Sequence, residues 1–249
     1  MIEKRLRVLT YNIHKGFNVG NRRFVLHQIR DALVATDADV LLLQEIQGTH
    51  QHKAQKVTDW PELSQCEFIA EGIWPHFAYG KNATYAAGHH GNVILSKHPF
   101  DQAENINVSP FTWASRSLLH GVLHLPGTCD IHVVCIHFGL TGKERRLQLA
   151  RLCERIESHV PHTAPLLVAG DFNDWRGQAE RELHAHLDLQ EVFRVTEGRH
   201  ARTFPVWMPL LPMDRIYYRG MTPHSCQCLT GAPWQTLSDH TPLMASFDL

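Results

Sequence analysis

The segment VAGDFNDW, residues 168–175, carries Val168 and Ala169 into an apolar interior and then sets Asp171 and Asn173 two residues apart. Side chains of an extended chain repeat every second residue, so this carboxylate and amide face the same way while Phe172 turns back to the core. A second cluster, LSDHTP at 237–242, places Asp239 beside His240 just before the last apolar stretch. Asn12, Glu45 and His137 extend the pattern, each at or near the carboxyl end of an apolar run. In a packed sheet protein such strand ends gather along one rim, where loops converge on a ligand. Taken singly, Asn12 reads as a turn cap and Glu45 as an acceptor of backbone amides. Taken together, several buried, unpaired carboxylates would cost more than marginal stability allows. A bound divalent cation would offset that charge.

Elements must position these residues. Apolar runs of strand length alternate with segments of helical period, which predicts an α/β protein. Strands are expected at 6–13, 38–45, 92–96, 115–125, 130–138, 165–172, 213–218, 221–229 and 242–249. Helices are expected at 22–35, with Asn21 as N-cap, at 142–158 and near 177–187. The polar stretch 46–90 reads as loops with a short helix, and 205–212 as a proline-rich loop. No repeat or linker divides the chain, and residues 1–249 are expected to form a single domain.

With 249 residues, 43% of them hydrophobic, the chain can bury a sizeable core. Lys and Arg total 24 against 25 Asp and Glu, a formal charge of -1, so no global positive field advertises nucleic acid or an anionic membrane. A local basic stripe remains open at Arg116, Lys143, Arg145, Arg146, Arg202 and Arg215, if they share a face; for Arg145 and Arg146 the alternative is a solvated helix face. No stretch approaches the roughly 18 apolar residues of a membrane span, and a cytoplasmic protein is expected. The six cysteines read as reduced thiols. Most of the 19 histidines read as surface residues, and no HExxH is present. The apolar segment Trp207 to Leu211 either touches lipid or is buried in the core.

TYNI with Asn12, LLLQE with Glu45, GNVILSKHP with Asn92, SR with Arg116, IHFGL with His137, GDFN with Asp171 and Asn173, MDRIYY with Asp214, and SDHTP with Asp239 and His240 follow one another along nearly the whole chain. In that order they resemble the endonuclease/exonuclease/phosphatase superfamily, which includes pancreatic deoxyribonuclease, apurinic/apyrimidinic endonucleases, neutral sphingomyelinases and inositol polyphosphate 5-phosphatases. The resemblance implies a DNase I-like four-layer α/β sandwich, two packed mixed sheets flanked by helices, with the motifs lining a cleft at one edge. It implies a divalent-metal-dependent hydrolase of phosphodiester bonds, with nucleic acid as the default substrate. A phospholipid head group or a soluble phosphoester is the alternative substrate, and a non-catalytic binding module on the same fold is the alternative class.

The resemblance also distributes roles. Glu45 is expected to hold Mg²⁺ or Mn²⁺, which favour carboxylate oxygen and retain water, with Asn12 and Asp239 completing the shell or acting through water. Asp214 would fix the tautomer of His240. His240 would act as general base or phosphate contact with His137 as partner acid, or Asp171 would itself take the proton, with Asn173 helping to position the attacking water. Arg116 and Asn92 would hold phosphate oxygens. His14 stands where the apurinic endonucleases carry an aspartate, so a second acidic metal contact is missing there. His89 and His90 either reach the cleft or are structural.

Overall fold

The computed structural model describes residues 5–85, 88–109 and 116–249. Two six-stranded mixed sheets face each other. The first contains β1 (Arg5–Asn12), β2 (Val40–His50), β3 (His76–Tyr85), β4 (Gly88–Ser96), β11 (Thr222–Cys228) and β12 (Leu243–Asp248), in the order β11-β12-β1-β2-β4-β3. The second contains β5 (Phe100–Asn107), β6 (Ser117–Leu123), β7 (Ile131–His137), β8 (Leu166–Asp171), β9 (Gln190–Glu191) and β10 (Asp214–Arg219), in the order β5-β6-β7-β8-β10-β9. Each sheet contains one parallel pair, β1 with β2 and β7 with β8, and the remaining pairs are antiparallel.

Strand alternation explains the layers. Leu6, Val8, Leu42 and Ile94 of the first sheet meet Leu119, Val133, Leu167 and Ile216 of the second in a central core. The opposite faces are covered by helices. Leu9, Leu41, Leu43 and Val93 pack on α1 (Leu26–Ala35) and α3 (Gln65–Ala70). Val134, Ile136 and Val168 pack on α4 (Gly142–His159) and α5 (Gln178–Leu187). The four-layer α/β sandwich expected from the motifs is the observed fold. Among the described residues no helix is long and apolar enough to cross a membrane.

Several elements differ from the sequence expectation. The stretch 46–90 is not mainly loop: β2 continues to His50, α2 (Gln51–Lys56) and α3 follow, and β3 occupies His76–Tyr85. β3 and β5 lie at sheet edges, where one side of the strand has no neighbour and polar residues are tolerated, so their apolar signal is weak. The first helix begins at Leu26, four residues later than expected, because Asn18 Oδ1 accepts the N–H groups of Arg22 and Arg23 and closes a turn there. Asn21 sits in that turn with φ +57° and caps nothing. A short helix, α6 (Val192–Glu197), was not expected. Ser115, the first residue of one expected strand, lies outside the described residues.

Candidate active site

Strand register gathers the polar strand ends. Asn12 ends β1 opposite Gln44, which places it beside Glu45. Asp171 ends β8 opposite both His137 on β7 and Asp214 on β10. The two sheets meet at this rim through the Asn12 amide, whose Nδ2 donates to Asp171 Oδ2 (3.2 Å). That oxygen also lies 3.4 Å from His137 Nε2 and 3.8 Å from His240 Nε2. The other oxygen of Asp171 accepts the Asn173 backbone N–H (2.9 Å), and the Asn173 amide donates to the Phe138 carbonyl (2.9 Å). Asn173 adopts φ +50°, a strained backbone for a residue with a side chain.

The imidazole of His240 is held from behind by Asp214, with Nδ1 to Oδ2 at 2.8 Å. Burial opposes charge on this ring, but Asp214 and Asp171 outweigh it and push its pKa up to about 10. His240 is therefore drawn toward its charged form, with Nδ1 donating to Asp214. His137 behaves oppositely: burial, with the nearby Arg116 guanidinium, pushes it down to about 4 against the pull of Asp171 and Glu45. Burial raises Asp171, while the two imidazoles counteract that rise. One charged and one neutral histidine thus flank one buried carboxylate.

Glu45, Asn12 and Asp239 form a second, more open part of the site. Glu45 occupies a bulge in the β2–β4 pairing and has φ +58°. Its Oε2 accepts from Lys15 Nζ (2.8 Å). Burial opposes its ionisation, yet the positive charges of His137, Lys15 and His14 hold it well below the usual carboxylate range. Because His137 is itself neutral near pH 7, the ammonium of Lys15 is the effective charge. Asp239 pairs with His14 Nδ1 at 3.0 Å, which lowers the carboxyl against burial and raises the imidazole. Asn12 Oδ1 accepts the His14 backbone N–H (3.1 Å), and Ser238 Oγ donates to the Asn12 carbonyl (2.7 Å).

The oxygen donors of Glu45, Asn12 and Asp239 suit a hard divalent cation. Asp171, Asp214 and His240 also bring ligand atoms within 4.8 Å of one another. The hydrogen bond between His240 Nδ1 and Asp214 makes that trio a dyad with a neighbouring acid. The sequence did not single out Lys15, and it gave His14 no role. Both residues sit in a left-handed turn, φ +59° and +47°, that directs them onto Glu45 and Asp239. No periodic pattern announces such a turn.

The expected phosphate contacts fare differently. Arg116 is half-buried, its Nε donating to the Phe138 carbonyl (3.3 Å) beside His137. Asn92 is fully buried and its Nδ2 donates to the Ser117 carbonyl (3.1 Å), tying the sheets together. Among the described residues its buried Oδ1 has no partner. The expected basic stripe is broken. Arg145, 8% exposed, donates to the Leu140 carbonyl (2.6 Å) and sits under the Trp175 ring. Arg215, 1% exposed, is spent on the carbonyls of Pro212, Asp214 and Asp174. Lys143, Arg146 and Arg202 are exposed. His89 bonds the Tyr79 hydroxyl (2.8 Å), its structural reading. The core reading of the 207–211 segment is overturned, since Trp207, Met208 and Leu210 are exposed.

Known proteins resemble this chain in sequence and in fold. The chain is 45% identical over 244 residues to the Escherichia coli (strain K12) protein YbhP, covering 98% of this chain and 96% of that one. Among solved structures, an endonuclease/exonuclease/phosphatase from Beutenbergia cavernae superposes with TM-score 0.77 at 20% identity, covering 99% of this chain and 72% of that one. D. rerio TDP2 in complex with a single-strand DNA product gives 0.70 at 18% identity, covering 99% and 100%. The sequence model of the endonuclease/exonuclease/phosphatase family matches residues 9–240, and the chain belongs to that family.

Proposed function

We propose that the chain is a divalent-metal-dependent hydrolase of phosphodiester bonds, with residues 1–249 acting as one unit because both sheets build the cleft. The observation that carries this reading is the convergence of three nitrogens, Asn12 Nδ2, His137 Nε2 and His240 Nε2, on the single oxygen Asp171 Oδ2. A buried carboxylate so surrounded, at the ends of the strands, is placed to orient an attacking water and take its proton. Asn173, anchored on the Phe138 carbonyl, fixes the loop that carries this acid. Asp214 orients His240, whose Nε2–H then faces the space a phosphate would occupy and stabilises the charge that develops there. His137 and Arg116 line the same wall. Mg²⁺ or Mn²⁺ held by Glu45, Asn12 and Asp239 would polarise a non-bridging oxygen and offset charge on the leaving oxygen.

For TDP2 the bound product is single-strand DNA; in this chain the burial of Arg145 and Arg215 weakens the case for an extended nucleic-acid track. The test is hydrolysis of bis-p-nitrophenyl phosphate with Mg²⁺ or Mn²⁺. Asp171→Asn and His240→Ala are each expected to lower turnover by at least about 10²-fold, the scale of lost acid–base or electrostatic assistance. Near-native rates in both variants would refute the assignment.

A further inference from the structure

Three segments border the mouth of the site: 139–146 from the end of β7 into the first turns of α4, 174–177 between β8 and α5, and 202–212 before β10. Bonds join them into one surface. The Arg145 guanidinium lies 4.8 Å from the Trp175 ring centre, and Arg215 reaches the carbonyls of both Asp174 and Pro212. The Val206 N–H donates to the Asp239 carbonyl (2.8 Å), and the Phe204 ring lies 5.0 Å from that of His240.

From these segments Leu140, Trp175, Trp207, Met208 and Leu210 extend into solvent, Trp207 with 67% of its surface exposed. Single exposed apolar side chains are ordinary, but five on three joined segments around one cleft mark an interaction surface. The exposed charges of the same segments have one sign. Lys143, Arg146, Arg176 and Arg202 are exposed, whereas the acids Glu144 and Asp174 are buried. Glu144 closes the capping box with Thr141, and Asp174 accepts the Ala179 N–H. Tryptophan and aliphatic side chains flanked by Lys and Arg form the composition that settles into the headgroup zone of an anionic bilayer. A nucleic acid would use the cations and stack on tryptophan, but it would gain nothing from Leu140, Met208 and Leu210.

We propose that this rim docks on an anionic phospholipid bilayer, so that the phosphodiester entering the site is one presented at that surface. The claim about substrate rests on the hydrolase reading above; the claim about docking does not. Trp207, Met208 and Leu210 enter the headgroup zone, and Lys143, Arg146, Arg176 and Arg202 meet lipid phosphates.

The test is co-sedimentation of the full chain with phosphatidylcholine vesicles, with and without a third of phosphatidylglycerol, read also by tryptophan emission. Anionic vesicles are expected to bind the chain at least about tenfold more tightly than neutral ones, since each cation near such a surface adds to the attraction. The double variants Trp207→Ala/Leu210→Ala and Arg146→Glu/Arg202→Glu should each lower vesicle binding about tenfold or more with unchanged melting temperature. Absent binding, equal binding to both vesicle types, or full binding by the apolar double variant would overturn the docking. Tight binding of duplex DNA that displaces the chain from vesicles and ignores the apolar variant would assign the rim to nucleic acid instead. Wild-type hydrolysis of bis-p-nitrophenyl phosphate is measured in parallel. Hydrolysis without docking refutes the docking alone, and docking without hydrolysis of any diester refutes the hydrolase reading and the substrate claim with it.

Discussion

At Asp171 the chain commits a carboxylate to an environment that would be untenable without its neighbours, and the same logic applies more openly at Glu45. The Glu45 carboxylate is kept ionised by Lys15 and lies half-buried on a strained bulge, where its oxygens suit a hard cation. Glu45→Gln keeps the shape and removes the charge. It is expected to weaken Mg²⁺ binding by at least about tenfold, measured by calorimetry, with the thermal transition of the metal-free protein retained. Unchanged affinity would move the ligand role elsewhere. The residues legible in the sequence, Asn12, Glu45, His137, Asp171, Asn173, Asp239 and His240, share a simple property: each lies at or near one end of an apolar run. His14 and Lys15 lack it, because a left-handed turn places their side chains and only the folded chain brings Asp239 to them. Arg145 and Arg215 were misjudged for a related reason. Their partners are backbone carbonyls, which no side-chain pattern reveals.

The elements show the same division between signals that are local and signals that are not. Buried strands such as β7 and β8 announce themselves by apolar runs, and α4 by its helical period, its first turn being closed by a capping box of Thr141 and Glu144. Edge strands β3 and β5 are nearly silent. One buried contact pins β6, β7 and α4 together and has a measurable consequence. Arg155 Nε donates to His120 Nδ1 (3.3 Å), so the hydrogen of His120 sits on Nε2 and points to His132 Nδ1 (3.0 Å). Protonation of Nδ1 would break the first bond. Burial, with the charges of His132 and Arg155, accordingly lowers His120 from 6.5 to about 4. The unfolded chain then binds more protons than the folded one between these values, so stability is complete above about pH 6.5 and falls as the pH drops toward 4. The loss is of order 1–3 kcal/mol. In urea titrations across this range, the wild type should lose more stability than His120→Gln; parallel profiles would show that this contact does not set the pH response.

At the scale of the molecule, charge decides between substrates. A formal charge of -1 gives no long-range attraction for a polyanion, so an extended nucleic-acid track requires a local stripe of cations. Six were available in the sequence, and the fold withdraws Arg145 and Arg215 into the interior and leaves Arg116 half-buried beside His137. Lys143, Arg146 and Arg202 remain exposed, on segments that also display large apolar side chains. Each phosphate neutralised on a duplex contributes about -0.9 to the slope of log affinity against log salt. With Lys143, Arg146, Arg202 and Arg176 as the exposed cations of the rim, duplex binding by the inactive His240→Ala protein is expected to show a slope shallower than about -4, read by fluorescence anisotropy over a KCl series. Reversing Arg146 alone should change it by about one contact. Reversing Arg145 would not report on binding, because an acid there would face the carbonyls of Gly139 and Leu140 and disrupt the start of α4. A slope as steep as that of a protein spanning six or more phosphates would mean that further cations reach the duplex, and would restore nucleic acid as the substrate of this cleft.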